Sequence, residues 1–416
     1  MSTKECVAMI LAGGHGKRLG ALTRYYSKPA LYFGGYDRII DFSLNNCQKS
    51  GIDTVGILSQ HFSTDLNTYI NNRHNWKPEQ SGINILTPQN GEEPYSGTAD
   101  AIYKNIEFID QINPDFLLIL AGDHIYKMNY KKMIAFHQET GAALTVASTT
   151  VPIGEATKFG IINSSKESWR MFGFEEKPLR PKSDLASMGI YVFKWSILKK
   201  YLLADSKNEH SQHDFGHNVL PEMLSNDESI YAYRYKGYWR DVGTVDSLWE
   251  ANMDRIDNPA ALQLEADKYF LNSYNNDISN TILQEAVVYK SILSGNCSIF
   301  GKVVHSVLSD SVTVGLGSEV VNSVIMPGVY IGNNVKIYNA IVGTKAVIMD
   351  NTIIGSNCGE DFFVDRQVCL RGVSLIEPWL YVDGDMEIQK NSQISKEKLE
   401  SYHFSMPEET KYTVVF

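Results

Sequence analysis

The sequence has no long apolar run, few cysteines and no excess of positive charge. Without a long apolar run or a recognisable signal peptide, the chain is not expected to span or bind a membrane. The five cysteines are odd in number and form no C-x-x-C pair, which argues against a disulfide framework and against a zinc site. We therefore expect a protein of a reducing compartment, the cytoplasm.

The charge balance limits the possible partners. Lysine and arginine number 38 against 48 aspartate and glutamate, which gives a formal net charge of -10. Because no basic excess can displace phosphate counterions, the chain is not expected to bind nucleic acid. An anionic ligand must then meet a local cluster of cations. The length of 416 residues suits two domains.

A glycine-rich loop follows the first apolar run, in the segment MILAGGHGKRLGALT. Gly13, Gly14 and Gly16 lack a Cβ, so backbone N–H groups there can approach an anion closely. Lys17 and Arg18 follow at once and can neutralise it. The segment is neither a P-loop nor a dinucleotide-binding fingerprint, so a tight strand-to-helix turn without a ligand is the alternative interpretation.

Up to about residue 255, short apolar runs alternate with helical patterns, which predicts an α/β domain with a Rossmann-like, mostly parallel sheet over residues 1–255. Residues 97–110 place Ala99, Ile102, Ile106 and Ile109 on one helical stripe, which we expect to pack against the sheet. The further strands are predicted at TVGILSQ, INILTP, FLLILAGDH and AALTVASTTV.

From about residue 280 the apolar residues recur every six positions. Three triplets follow this spacing, each beginning seventeen residues after the last. They are Leu308, Val314 and Val320, then Ile325, Ile331 and Ile337, then Val342, Ile348 and Ile354. The pattern predicts a left-handed parallel β-helix over residues 280–370, rather than a β-sandwich with accidental spacing. Residues 256–279 are interpreted as a linker, and the tail 371–416 shows no six-residue pattern.

Acidic and basic side chains end several strand-like runs. Asp123 in LILAGDHIY and Asp241 in GYWRDVGT could hold Mg²⁺ at a sheet edge, whereas a turn aspartate that caps a following helix is the alternative for Asp123. In FGFEEKP, Glu176 could accept hydroxyl hydrogens and Lys177 could bind a phosphate. A surface ion pair is the alternative for that motif.

Together these motifs resemble the nucleotide-sugar pyrophosphorylases, and within them the ADP-glucose branch. The resemblance runs from about Glu5 to Asp254 with few gaps, and the six-residue repeat is similar to the C-terminal domain of that family. It is carried by LAGGHGKRLGALT, SKPAL, FGGYDRIIDFSLNNCQKSGID, YSGTADAIYKNIEFID, GDHIYKMNY, FGI, FEEKP, LASMGIYVF, HDFG and GYWRDVGTVDSLWEANMD.

The resemblance implies roles for individual residues. Gly13, Gly14, Gly16, Arg18 and Lys28 would bind the ATP phosphates. Asp123 and Asp241 would bind Mg²⁺, and Gln60 and Gly97 would lie near the adenine. The residues implied to contact glucose 1-phosphate are Tyr95, Gly160, Glu176, Lys177, Ser187 and Asp214.

The implied reaction forms ADP-glucose, the glucosyl donor for glycogen and starch. A phosphate oxygen of glucose 1-phosphate would attack the α-phosphorus of ATP, and pyrophosphate would leave. Because the sugar phosphate is already an anionic nucleophile, no general base is needed. Motifs of glycines, cations and carboxylates, without a Ser/His/Asp arrangement, suit this chemistry. The family implies a homotetramer or a hetero-oligomer with a related subunit.

Other functions have to be weighed against this one. Lys17 stands where the family usually has Thr or Ser, so a catalytically weak regulatory subunit of the same family is an alternative. Use of UTP, dTTP or GTP is a second alternative, although GTADAIY resembles the ADP-glucose branch. An acyltransferase working from the β-helix would need a histidine between coils, and His305 is the only histidine in residues 280–360.

The segment FGGYDR predicts altered regulation. Tyr36 and Asp37 stand where many relatives carry Lys and an aromatic residue, in a region tied to phosphorylated activators, and Pro94 stands where relatives often have Trp. We expect fructose 1,6-bisphosphate to activate this chain weakly, as measured by its effect on the rate of pyrophosphate release. Strong activation through this region would contradict the prediction.

Overall fold

The computed structural model describes residues 5–14, 16–60, 63–71, 82–88, 93–262, 279–358 and 361–405. These residues form two compact units. The first unit contains residues 5–14 and 40–239, and the second contains residues 16–39 and those from 240 onward. The division therefore differs from the predicted boundary at residue 255, and each unit is described by itself.

The first unit is built on a nine-stranded sheet. We number its strands together with a separate short strand, β5. They are β1 (Cys6–Leu11), β2 (Val55–Leu58), β3 (Ile83–Leu86), β4 (Phe116–Ala121), β5 (His124–Tyr126), β6 (Leu144–Thr150), β7 (Gly160–Ser164), β8 (Met171–Glu176), β9 (Leu185–Lys194) and β10 (Ile230–Arg234). The strand order is β8-β7-β9-β4-β1-β2-β3, and β6 joins β9 to β10.

The sheet is mixed and parallel on the side of the glycine loop. Strand β1 pairs in parallel with β2 and β4, and β2 pairs in parallel with β3. Strand β9 runs antiparallel to β4, β6 and β7. Strands buried on both faces read as continuous apolar runs, which is why the central strands were recognisable in the sequence.

Helices connect the strands of the first unit. Their bounds are α1 (Ile40–Lys49), α2 (Ser63–Asn71), α3 (Thr98–Tyr103), α4 (Ile106–Ile112), α5 (Tyr130–Thr140), α6 (Trp195–Asp205) and α7 (Leu220–Ser225). Within the described residues, no helix combines the length and the apolar character that crossing a membrane requires.

The stripe predicted on one helix lies on two. Ala99 and Ile102 belong to α3, and Ile106 and Ile109 belong to α4; Ile106 is partly buried and packs against the core of the first unit, in which the other three lie. The break falls at Asn105, whose side-chain amide donates to the carbonyl oxygen of Ala101 at 2.8 Å. A side chain that bonds the backbone in this way competes with the helical pattern.

The second unit contains the predicted left-handed parallel β-helix. It consists of three six-stranded sheets, in which each strand pairs in parallel with the strand one coil further along. The first sheet comprises Thr281–Ile282, Ser298–Ile299, Thr313–Val314, Tyr330–Ile331, Val347–Ile348 and Tyr381–Val382. The second comprises Val287–Tyr289, Lys302–Val304, Glu319–Val321, Lys336–Tyr338, Ile353–Ser356 and Glu387–Gln389. The third comprises Ile292–Leu293, Val307–Leu308, Val324–Ile325, Ala340–Val342, Ser374–Ile376 and Gln393–Ile394.

The nine aliphatic residues of the six-residue pattern are all fully buried and form one core. The β-helix also extends beyond residue 370, where the sequence analysis placed a tail. Ile348 pairs with Val382 and Ile354 with Ile388, so the spacing of seventeen residues becomes thirty-four at this point. Additional chain between Ser356 and Ser374 doubles the interval and hides the repeat. Part of the tail, residues 406–416, lies outside the described residues.

Among its described residues, the second unit has the α-helices α8 (Val245–Asp257), α9 (Pro259–Leu262) and α10 (Lys396–Ser405). Helix α10 follows the last strand and buries Leu399 in the β-helix core. The predicted linker thus begins inside α8, and its residues 263–278 lie outside the described residues.

Helix α8 and residues 16–39 cover the outer face of the third sheet. The indole N–H of Trp249 donates to the carbonyl oxygen of Asn322 at 2.6 Å, and the Tyr36 hydroxyl donates to that of Leu293 at 2.5 Å. Val307 and Ile341 alternate with the inward residues of their strands and are nevertheless fully buried. These contacts explain why the two segments group with the β-helix.

A buried histidine in the first unit predicts a pH-dependent stability. His137 of α5 is 1% exposed, its Nδ1 lies 2.9 Å from the Thr145 hydroxyl, and burial lowers its pKa to about 4. Above pH 6.5 the ring is neutral in both states, whereas between pH 6.5 and 4 the unfolded chain takes up the proton first. We expect the free energy of unfolding to fall by up to about 3 kcal/mol over that range.

Urea unfolding at pH 7, 6 and 5 measures this change. In the His137→Gln variant the corresponding pH dependence should be absent. Equal slopes of stability against pH in the two proteins would contradict the prediction.

Candidate functional site

Gln60 links the glycine loop to Tyr95 in the first unit. The loop follows β1, and its Gly13 carbonyl oxygen accepts a hydrogen bond from Gln60 Nε2 at 3.0 Å. Gln60 Oε1 accepts in turn from the backbone N–H of Tyr95 at 2.7 Å. Gly14 is exposed, and a Cβ there would meet no atom within 4 Å. Three residues predicted for ligand binding are therefore brought together, with open space beside the loop.

The Glu176 carboxylate lies against two glycines. Strands β7 and β8 place Gly160 directly opposite Glu176. A Cβ on Gly160 would lie 2.8 Å from Glu176 Oε2, and one on Gly216 would lie 2.5 Å from it. Both distances are shorter than any real contact of a Cβ, so the carboxylate has room only because neither glycine has a side chain.

Lys177 forms an ion pair with its neighbour. Its Nζ lies 3.1 Å from Glu176 Oε1, and its side chain is 60% exposed. The ion pair named as the alternative is thus present. It leaves the ammonium group accessible, and Lys177 has a backbone φ of 45°, in the left-handed region. An exposed ion pair contributes little to stability, so it does not by itself account for a lysine in this conformation.

Asp214 caps a short π-helical turn, Phe215–Val219. Its Oδ1 accepts the backbone N–H groups of Gly216 at 2.9 Å and His217 at 3.1 Å. Its Oδ2 accepts the Thr98 hydroxyl at 2.8 Å. Thr98 begins α3 directly after Gly97, whose missing Cβ would lie 2.2 Å from the His213 carbonyl oxygen. The cap therefore fixes Asp214 beside the segment that carries Gly97.

Ser187 lies at an irregularity of β9, where the register with β6 shifts. It is buried, and its hydroxyl lies 3.4 Å from that of Tyr191. Burial raises the pKa of Tyr191, and the nearby Glu176 and Asp214 carboxylates raise it further. Tyr191 is therefore a protonated hydroxyl close to both carboxylates.

Asp123 occupies the turn between β4 and β5. Its Oδ1 lies 3.5 Å from Nε2 of His124, and it is partly exposed. The chain continues as a strand, and the next helix, α5, is capped by Asn129, whose side chain accepts from the N–H of Lys131 at 3.0 Å. The alternative in which Asp123 caps a following helix is therefore wrong.

The remaining predicted residues belong to the second unit. Lys28 is buried, and its Nζ lies 3.1 Å from Asp241 Oδ1. A Cβ on Gly243 would lie 2.9 Å from a guanidinium nitrogen of Arg18 and 3.2 Å from either oxygen of Asp241. The two cations thus lie close to Asp241 within this unit. Gly16 precedes the 3₁₀ turn Lys17–Arg24 with φ 60°, and Lys17 and Arg18 are exposed.

Two further segments of the second unit contain the residues named for altered regulation and for the acyltransferase alternative. Tyr36 is bound to Leu293, as described above, and Asp37 is fully buried with Oδ2 3.5 Å from the guanidinium of Arg255. At His305, one ring nitrogen lies 2.8 Å from Asn322 Oδ1 and the other 3.0 Å from Asp257 Oδ1. Because both nitrogens have partners, this histidine is ill suited to act as the base of an acyltransferase.

Thr98 and Tyr191 lie in the site but were not predicted from the sequence. Thr98 stands next to Gly97 at the start of a helix, which is a signal that could have drawn attention to it. Tyr191 lies within an apolar strand and is indistinguishable from a core residue until its neighbours in the fold are known.

Comparisons with known proteins match two successive parts of the chain. A family profile described as nucleotidyl transferase matches residues 7–258, and one described as GlmU-like, C-terminal hexapeptide, matches residues 278–376. A glucose-1-phosphate adenylyltransferase of Desulforamulus reducens is 46% identical over 403 residues, 95% of this chain and 99% of that protein.

Two other relatives carry the same name. The protein of Clostridioides difficile is 49% identical over 325 residues, 76% of this chain and 83% of its own length. That of Bacillus thuringiensis is 48% identical over 357 residues, with coverages of 84% and 95%. The similarity thus extends over both units.

The two glycines beside Glu176 make a testable prediction. In Gly216→Ala the new methyl group must displace the Glu176 carboxylate, and we expect the dissociation constant for glucose 1-phosphate, the ligand implied by the sequence, to rise at least about tenfold. Gly154→Ala is the matched control, since a Cβ at the exposed Gly154 meets nothing within 4 Å. Isothermal titration calorimetry measures both. An unchanged constant in a folded Gly216→Ala protein would count against this role of Glu176.

Proposed function

The chain belongs to the glucose-1-phosphate adenylyltransferase family of nucleotidyl transferases, and on that premise we propose that it forms ADP-glucose and pyrophosphate from ATP and glucose 1-phosphate. It is a nucleotidyltransferase enzyme. The observation that carries the proposal is the similarity along nearly the whole chain to proteins of that name.

Glucose 1-phosphate is proposed to bind in the first unit, among the residues around Glu176. The Glu176 carboxylate and the capped Asp214 carboxylate would accept hydrogen bonds from sugar hydroxyls. The exposed ammonium of Lys177 would bind the phosphate, since it is a compact, mobile cation. Tyr95, Gly160 and Ser187 complete the proposed set of contacts.

ATP is proposed to bind through the glycine loop and nearby cations. Gly13, Gly14 and Gly16 would offer backbone N–H groups to the phosphates, and Arg18 and Lys28 would supply positive charge. Gln60 and Gly97 are proposed to lie near the adenine. The bond from Gln60 to the Gly13 carbonyl supports this assignment, because it ties an adenine-side residue to the phosphate loop.

A divalent cation, proposed to be Mg²⁺, would be held by Asp123 and Asp241. Asp123, His124 and Asp241 each offer a side-chain atom that can ligate a metal. Two carboxylates suit Mg²⁺, which prefers hard oxygen ligands and completes its shell with phosphate oxygens and water. When bound, the ion would neutralise charge on the triphosphate.

The residues would catalyse the reaction by positioning and neutralisation. A phosphate oxygen of glucose 1-phosphate forms the new bond to the α-phosphorus, and the bond from that phosphorus to the β-phosphate bridging oxygen breaks. Pyrophosphate departs with the electron pair. No proton has to be removed from the nucleophile, so Arg18, Lys28 and Lys177 would act as positive charges that stabilise the negative oxygens.

The wider biological role is also proposed from the family. We expect a cytoplasmic enzyme that supplies glycogen or starch synthesis and assembles as a homotetramer, or as a hetero-oligomer with a related subunit. A catalytically weak regulatory subunit remains the alternative, since Lys17 differs from the usual hydroxyl residue.

The decisive experiment measures pyrophosphate release by the purified chain with glucose 1-phosphate, Mg²⁺ and each of ATP, UTP, dTTP and GTP. We expect turnover with ATP, and a loss of about 100-fold or more in Asp123→Ala, because a proposed metal ligand is removed. Glu139→Ala, which changes an exposed carboxylate on α5, should retain full activity.

The remaining outcomes of the pyrophosphate-release assay would each change the proposal in a specific way. Preference for another nucleotide would overturn the proposed donor. Absence of turnover with all four nucleotides, in a folded protein, would favour the regulatory subunit. Activity in Asp123→Ala equal to that of the unmodified chain would contradict the proposed metal site.

A further inference from the structure

We propose that Asp205 and His213 are positioning residues, and that their hydrogen-bonded pair holds the Asp214 loop against the segment carrying Gly97 and Thr98. The proposal deepens the proposed function and rests on it, because Asp214 is assigned to glucose 1-phosphate and Gly97 to ATP. Neither Asp205 nor His213 is expected to touch a substrate.

Asp205 is a buried carboxylate with two donors from one loop. It is the last residue of α6 and is 5% exposed. It accepts the Ser211 hydroxyl at 2.5 Å and Nδ1 of His213 at 2.8 Å. The Ser211 hydroxyl oxygen also accepts the backbone N–H of His213 at 2.9 Å. A buried carboxylate is costly unless it is paired in this way, so the loop and the helix end are held together.

The backbone of His213 has an unusual conformation. Its φ is 51°, a left-handed value that is uncommon for residues other than glycine and is adopted more readily by asparagine, aspartate and histidine than by alanine. This conformation accompanies a particular contact, in which the His213 carbonyl oxygen accepts the N–H groups of Ala99 at 2.8 Å and Asp100 at 3.2 Å. Helix α3 has no side-chain cap of its own, so a distant loop satisfies its first N–H groups.

The contacts continue from His213 to the proposed sugar site. The Thr98 hydroxyl oxygen accepts the N–H of Phe215 at 3.0 Å, and the hydroxyl donates to Asp214 as described above. Gly216, two residues further along, lies against the Glu176 carboxylate. A continuous series of bonded residues therefore runs from Asp205 to Asp214, and Gly216, whose N–H donates to Asp214, lies beside Glu176 without a bond to it.

The alternative is that Asp205 only stabilises the end of α6. The opposite end of the same helix provides a matched control. There Asp110 accepts the Trp195 indole N–H at 3.0 Å and lies 2.6 Å from Lys199 Nζ. Asp110 is thus an aspartate that holds α6 through comparable bonds, and neither Trp195 nor Lys199 belongs to the Asp214 loop.

Four variants of the full-length protein test the proposal. The Asp205→Asn substitution replaces one carboxylate oxygen by an amide nitrogen, so either the Ser211 hydroxyl or Nδ1 of His213 loses its acceptor. In His213→Ala, the ring is lost and the left-handed φ is strained. Both should raise the dissociation constant and the KM for glucose 1-phosphate about tenfold. His213→Asn should restore most of the affinity, since Asn tolerates the left-handed conformation and its Nδ2 can occupy the place of Nδ1.

The control variant is Asp110→Asn, which should lower the midpoint of thermal unfolding and leave the constants for glucose 1-phosphate unchanged. Binding is measured by titration calorimetry and KM by pyrophosphate release. If Asp205→Asn fails to fold, the comparison of His213→Ala with His213→Asn decides alone.

The outcomes separate this proposal from the proposed function. Failure of the unmodified chain to bind glucose 1-phosphate would overturn the proposed function and this inference with it. Normal binding by the unmodified chain together with unchanged constants in Asp205→Asn and His213→Ala would overturn this inference alone. So would equal losses in His213→Ala and His213→Asn, since no rescue would then exist.

Discussion

The Glu176 carboxylate fits its place because two backbone segments beside it carry no side chain. Gly160 approaches it across a pair of strands, and Gly216 approaches it from the turn that Asp214 caps. The space around a carboxylate is thus set by glycines rather than by flexible neighbours. A side chain at either glycine would therefore displace the carboxylate from this place.

Much of this arrangement could be predicted from the sequence, for identifiable reasons. Apolar runs in the sequence predict the central strands. The β-helix is predicted because its inward-facing aliphatic residues repeat every six positions. Glu176 and Asp214 lie in motifs with a family resemblance. Thr98, Tyr191 and the pair formed by Asp205 and His213 could not be found in that way. Their roles depend on contacts between segments that are far apart in the chain, such as the bond from Thr98 to Asp214.

Two errors of the sequence analysis have the same origin. The helix at residues 97–110 breaks because Asn105 bonds the backbone, and the repeat after residue 354 disappears because an excursion doubles the interval between coils. In both places a regular pattern is interrupted by a local feature that periodicity does not detect. The boundary at residue 255 differs for another reason, since α8 has an amphipathic pattern but its packing partner, the outer face of the third sheet, cannot be read from its sequence.

Helix α10 follows the last coil of the β-helix and packs against it. The last coil would otherwise present a row of unpaired backbone N–H and C=O groups, which is a template for adding strands from another molecule. Leu399 is inserted into the core and Tyr402 packs against Phe362 and Phe363, so α10 occupies space beside the last coil. Addition of a strand from another molecule at this end would have to displace these contacts.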